Sequence, residues 1–166
     1  MADSKYLKIE NIGNSYMGTA FCTPKYGKYA GQMLELFQID SMSVSAEIEV
    51  IRRRTLNNAV MQEKPRVIGY RFNISAFQCS SKFQEIMQDF QDNGAYPYLD
   101  FTLTNNWDQD GLGVQQVKLE GALITSCDLF KLNVNSEDET QTLSGSAQKF
   151  KVLTAATEPS VSWNTP

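Results

Sequence analysis

The dominant pattern from residue 43 onward has period two. Val44, Ala46, Ile48 and Val50 alternate with Ser43, Ser45, Glu47 and Glu49, which predicts a half-buried strand. That run breaks at Ile51 and the basic Arg52-Arg53-Arg54. A second run sets Ile68, Tyr70, Phe72, Ile74 and Ala76 against Gly69, Arg71, Asn73 and Ser75, and predicts the clearest strand of the chain. Between the two, Thr55–Arg66 carries Asn57-Asn58 and Pro65 as breakers and is too long for a tight hairpin turn. Its apolar pair, Val60 and Met61, predicts an extended loop that touches something.

The period then changes. Phe83, Ile86, Met87 and Phe90 fall at i, i+3, i+4 and i+7, with Ser80 or Ser81 as cap and Asp92-Asn93-Gly94 as stop, which predicts one helix. Alternation resumes in Tyr98–Thr104 and in Gln115–Ile124, joined by a polar turn over Asn105–Gly113, so these read as neighbouring antiparallel strands. Cys127–Val134 and Leu143–Leu153 are read as further strands, each with a bulge where the phase switches. The front is harder to read, because Gly13, Gly18, Pro24, Gly27 and Gly31 punctuate short apolar pieces. A strand near residues 33–39 is expected, with residues 1–31 irregular. Val161 and Trp163 are costly to leave in water, so residues 154–166 are expected to form an arm docked on a neighbour, or else a frayed end. The whole, residues 1–166, reads as a single domain. The expected fold class is mainly β with one flanking α-helix, a β-sandwich or barrel with an extended inter-strand loop.

Composition narrows the function classes. Histidine is absent, which removes His-based triads, His zinc sites and the commonest general base. A formal net charge of -4 has the wrong sign for a protein that grips phosphates. Cys22, Cys79 and Cys127 are widely spaced and odd in number, so they read as buried small hydrophobes instead of a metal or disulfide framework. No apolar run approaches the roughly 20 residues of a spanning helix, and Met1–Lys5 leads into polar sequence instead of a signal-peptide core.

Candidate chemistry is sparse. Asn106–Gly111 opens like a calcium loop, but its twelfth position is Val117 where a bidentate Glu is needed, so a hairpin turn is expected and no metal. Gly111-Leu112-Gly113 has neither the third glycine of a dinucleotide loop nor the Gly-Lys-Ser/Thr ending of a P-loop, and reads as turn chemistry. Glu47 with Glu49, and Glu137-Asp138-Glu139, read as solvated charge instead of acid–base pairs. Tyr26, Tyr29, Tyr96, Tyr98 and Trp107 lack interleaved cations and read as core or interface packing instead of a base-stacking platform. No enzyme and no cofactor is expected.

Ile51-Arg52-Arg53-Arg54, the long loop, Tyr70–Ile74, Ser81–Met87, Pro97–Leu103 and Val117-Lys118-Leu119 together resemble the tail-tube proteins of contractile phages and of phage-tail-like particles of the PBSX prophage type. The resemblance spans Val50–Val152. It departs at Ile51, where a glycine is associated with the family, and in a longer front, Asn11–Gly31. It implies hexameric rings stacked into a hollow tube inside a contractile sheath, in a virion or a headless bacteriocin particle assembled in the bacterial cytoplasm. It further implies sheath, baseplate and tape-measure proteins as partners, with DNA only as passing cargo. On that footing Arg52, Arg53, Arg54, Val60 and Met61 are candidate subunit contacts, and Glu47, Glu49, Arg71, Asn73 and Ser75 candidate lumen-facing residues. The alternatives are a tube protein of a type VI secretion system and a monomeric β-barrel that binds a small ligand.

Overall fold

In the computed structural model, residues 18–36, 39–77, 80–107, 113–135 and 140–157 are described. They form strands β1 (Gly18–Pro24), β2 (Leu34–Glu35), β3 (Ile39–Arg53) and β4 (Gln62–Phe77), helix α1 (Lys82–Asn93), then β5 (Tyr98–Trp107), β6 (Gly113–Cys127), β7 (Thr140–Ala147) and β8 (Lys149–Thr154). The strands pair antiparallel in the order β2-β1-β5-β6-β7-β4-β3, with β8 added to β6. Among the described residues no helix is long and apolar enough to cross a membrane.

The predicted alternations become the core. Phe72, Ile74 and Ala76 of β4, Leu99 and Phe101 of β5, Leu119, Ala122 and Ile124 of β6 and Leu143 of β7 are buried on one face of the sheet. Helix α1 adds Phe83 and Ile86. Gly94 ends that helix at φ 70°, where its N–H bonds to the Phe90 carbonyl, the left-handed cap that glycine adopts without a Cβ penalty. At the start, the Ser80 hydroxyl accepts the Lys82 N–H, and Ser81 makes no side-chain cap.

The sheet is rolled. β4 and β5 are three strand spacings apart, roughly 14 Å across a flat sheet, yet the rings of Phe72 and Phe101 lie 5.3 Å apart. β6 carries a bulge at Gly121, a feature that bends a strand. With φ at +64° it places an extra residue in β6 opposite Asp100, whose carboxylate accepts the Gly121 N–H at 2.9 Å. On the other edge of β6 the same kink divides β7 from β8 at Gln148, whose N–H reaches the Glu120 carbonyl. The phase switch expected in Leu143–Leu153 is this break.

Other expectations need correction. Residues 18–24 of the front are a strand, β1, paired along β5 from Gly18 to Pro24. Its inward side chains are Ala20, Cys22 and Pro24, too small to signal an apolar stripe. Strand near 33–39 reduces to Leu34–Glu35 and the start of β3 at Ile39. The loop expected over Thr55–Arg66 is shorter, because Gln62–Arg66 already belong to β4. Pro65 is tolerated there because the register shifts beside it, between Glu49 and Val50. The strand expected over Cys127–Val134 ends at Cys127. Asp128 turns the chain, its N–H donating to the Thr142 carbonyl and its carboxylate accepting the Thr142 N–H. Residues 1–17, most of the Asn106–Gly111 turn, Cys79 and residues 158–166 lie outside the described residues.

Candidate assembly surfaces

The β3–β4 hairpin outgrows its own subunit. Pairing of β4 with β7 stops at Tyr70 opposite Ala147, while pairing with β3 continues to Gln62 opposite Arg53. Gln62–Gly69 therefore form, with β3, a two-stranded arm of roughly 26 Å at ~3.3 Å per residue. The Tyr70 and Phe150 rings stack 5.9 Å apart at the fork where β4 and β8 part.

The arm carries the core-facing side of the hairpin past the end of the core. Directly paired residues share a face, so Val44 with Phe72, Ala46 with Tyr70, Ile48 with Ile68 and Val50 with Pro65 make one apolar strip. Within the subunit Phe72 is 2% exposed, whereas Ile48 and Ile68 on the arm are 57% and 51% exposed. Isolated two-stranded ribbons are marginal in water, so an arm of this length with an apolar side requires a partner.

The five candidate contact residues gather at the end of this arm. Arg52 Nε pairs across the strands with Glu63 Oε1 at 2.7 Å, an exposed pair worth about 0–1 kcal/mol. Arg53 lies in a groove with Ile51, Gln62, Lys64 and Arg66. Arg54 is exposed just beyond β3. In the tip Asn57 takes φ 65°, and the Asn58 carboxamide oxygen accepts the Val60 N–H at 3.0 Å. This turn leaves Leu56, Val60 and Met61 in solvent.

The opposite face of the hairpin is mostly polar, with Val67 opposite Glu49 as an exposed exception, and it holds all five residues expected to line a lumen. Glu47, Glu49, Arg71 and Asn73 are exposed and Ser75 is half-buried. Arg71 Nε meets Glu47 Oε2 at 3.1 Å. Register extends the face onto β7, with Ser43, Asn73 and Ser144 in one row and Ser45, Arg71 and Ser146 in the next. Sequence reasoning missed these β7 hydroxyls, although Thr142, Ser144 and Ser146 alternate with Leu143, Gly145 and Ala147 and carry the signal.

At the far end of the sheet, the loop after β1 is pinned to α1. Glu85 accepts from the Tyr29 hydroxyl and from Lys28 Nζ, and Asp89 accepts from the Lys28 N–H at 2.8 Å and from Asn93. The Tyr29 hydrogen bond is the chief reason that the Glu85 carboxyl sits below its usual range, with Lys28 adding to it. The Asn93 amide, then the Lys28 N–H, lower Asp89 in the same way. Burial pushes the Cys22 thiol up to about 12, so it stays protonated and unreactive. Among the described residues no three metal-ligating side chains converge. What the geometry offers is surface for assembly.

The model of a family described as phage tail tube protein matches residues 5–153. The chain belongs to that family. As a tail tube protein it is a structural component of a virion or a phage-tail-like particle. No curated protein matches it. Its fold is shared with solved chains of low identity. A chain from the anti-feeding prophage cap, the tube-terminating cap, has a TM-score of 0.64 at 14% identity, covering 93% of this tail tube protein and 100% of that chain. A chain from the sheath–tube complex of an extracellular contractile injection system in the extended state gives 0.62 at 13%, covering 89% and 94%. A chain from the virion of a native gene transfer agent particle gives 0.58 at 13%, covering 86% and 100%.

Proposed function

We propose that this tail tube protein assembles as hexameric rings stacked into the hollow inner tube of a contractile tail, a conduit driven through a target envelope by the surrounding sheath. The observation that carries the reading is the apolar strip of Ala46, Ile48 and Val50 with Ile68, a core face continued along the arm where Ile48 and Ile68 are more than half exposed. A neighbouring copy covers that strip, and head-to-tail contacts of this kind close into rings. The arm tip, with Arg52, Arg53, Arg54, Val60 and Met61, then touches adjacent subunits or the next ring. The polar face of Glu47, Glu49, Arg71, Asn73 and Ser75, widened by the β7 hydroxyls, lines the lumen. Hydroxyls and a Glu–Arg pair offer a passing polyanion no cationic trap, so DNA is cargo and not ligand. Sheath, baseplate and tape-measure proteins are the partners, and the protein turns over no substrate.

Negative-stain electron microscopy of the full chain, alone and co-expressed with neighbouring sheath and baseplate genes, tests this. Hollow tubes of uniform diameter are expected. Dispersed monomers in the presence of those partners would overturn the reading and favour the ligand-binding barrel, whose interior is here filled by Phe72 and Phe101.

A further inference from the structure

The arm tip lies at one end of the sheet, and a second unpartnered apolar surface lies at the other. β4 runs from the tip at Gln62 to Phe77, which leads toward α1, and the register places Cys127 of β6 and Thr140 of β7 at that same end. The chain leaving Cys127 exposes Leu129, Phe130, Leu132 and Val134, the last two at 85% and 101%. Among the described residues, polar ties hold it. Gln84 of α1 donates to the Leu129 carbonyl, and Lys131 Nζ to the Thr140 carbonyl at 3.4 Å. Between it and α1 runs a groove of about 420 Å³ lined by Gln84, Met87, Gln88, Phe90, Gln91 and Leu129. Phe90 and Tyr96, 6.1 Å apart ring to ring, extend the apolar rim.

Alternation of Phe130, Leu132 and Val134 is what a strand uses to meet a core, yet all three side chains are exposed. Four apolar side chains in six residues with no cover are far from the scattered single hydrophobics that need no explanation. The charges also match in sign. Arg52, Arg53, Arg54, Lys64 and Arg66 outnumber Glu63 around the tip, while the sequence from residue 128 to 139 carries Asp128, Glu137, Asp138 and Glu139 against Lys131.

We infer that the groove between α1 and Leu129–Val134 is the receptor for the arm tip, Leu56–Met61, of a second copy of this chain stacked along the tube axis. This rests on the ring-stacking reading and names the other half of its contact. Plug and socket at opposite ends of one sheet make a heterologous contact that does not close on itself, which is the condition for an open filament of rings. Apolar side chains supply the buried centre of the contact.

Two measurements on the full chain, co-expressed with sheath and baseplate, test the assignment. Tubes are formed from a mixture of Val60→Cys and size-tagged Leu132→Cys copies and treated with a flexible bismaleimide. A tip-to-socket heterodimer is expected, above the background that Cys22, Cys79 and Cys127 give in tubes of either variant mixed with wild type. Separately, Phe130→Asp with Leu132→Asp is expected to leave the monomer's unfolding midpoint and single rings intact and to stop stacking. Mixed Val60→Cys and Leu132→Cys tubes that show no such heterodimer, together with normal tubes from the Asp variant, would overturn this inference while leaving the tube reading standing. Cross-links in single rings before stacking would place the contact within a ring and overturn the axial part. Monomeric wild type in the presence of those partners would overturn both readings together.

Discussion

Gly145 is where the roll of the sheet is most sensitive to one atom. It sits in β7 between Phe72 of β4 and Ile124 of β6. A Cβ built there would lie 2.0 Å from the Leu123 carbonyl oxygen and 2.7 Å from the Phe72 ring. A carbon needs about 3.3 Å from a carbonyl oxygen, so Gly145→Ala must push β7 from β6 by about 1.3 Å. Ladder hydrogen bonds of about 2.9 Å would stretch to about 4.2 Å and be lost, at roughly 0.5–1.5 kcal/mol each. The Phe72 ring cannot retreat, because it packs against Phe101, so overpacking adds about 1–3 kcal/mol. With two ladder bonds lost, the expected destabilisation is about 2–6 kcal/mol. At about 2–4 °C per kcal/mol for a chain of this size, the melting point falls by roughly 4–24 °C. The assay is thermal and urea unfolding of dilute monomer, below the concentration at which assembly raises apparent stability. Gly69→Ala is the control. Gly69, in β4, has nothing within 4 Å of a built Cβ, and its substitution is expected to be neutral or slightly stabilising. An unchanged midpoint for Gly145→Ala would refute the close-approach argument and with it the curvature assigned to this part of the sheet.

Ile48→Asp combined with Ile68→Asp removes the apolar strip where both side chains are more than half exposed. The unfolding midpoint is expected to move by no more than about 0.5 kcal/mol, while sedimentation shows assembly lost; assembly at wild-type level would reject the strip as an interface. Glu85 and Asp89 have folded pKa values below their unfolded ones, so their tie to the Lys28–Tyr29 loop is fully present above the unfolded carboxyl range, about pH 4. It is lost as pH falls through the lowered folded values, and amide exchange of residues 27–32 is expected to quicken there in wild type but already at neutral pH in a Glu85→Gln, Asp89→Asn variant. The Tyr29 phenol is raised mainly by its bond to Glu85, so a Glu85→Gln variant is expected to ionise Tyr29 at lower pH than wild type does in a spectrophotometric titration. Cys22 is expected to resist alkylation at pH 8 until the protein is denatured, while the half-buried Cys127 reacts slowly in the native state.

The strands and helix that were legible in the sequence are those whose inward positions are large. Phe72, Ile74, Leu99, Phe101 and Leu119 announce β4, β5 and β6, and the Phe83–Ile86 spacing announces α1. β1 was hidden because a strand that presents Ala20, Cys22 and Pro24 to the core has little amplitude in its alternation. Pro65 misled in the other direction. A breaker read from sequence is compatible with a strand if it falls at a register shift, and nothing local reveals where such a shift lies. Phe130, Leu132 and Val134 carried the pattern of a core strand and became surface, because one aspartate, Asp128, bonds to Thr142 and ends the pairing first.

Period two reports sidedness and nothing more. Along β3 and β4 the same alternation runs unbroken from Met42 and Ile74 to Val50 and Ile68, yet half of it builds a core and half builds an exposed strip. What separates the halves is whether β7 runs alongside, a fact about strands almost eighty residues away. Left uncovered, the outer half would be an aggregation hazard. The residues around it fit a managed edge. Arg52, Arg53, Arg54, Lys64 and Arg66 crowd the tip with like charge, and Pro65 with its register shift interrupts the ladder. Like charge and a broken ladder oppose the pairing of two tips with each other, while leaving the apolar strip open to a partner of different shape and opposite charge. Such selective stickiness is what separates a subunit that stacks in one direction from one that precipitates.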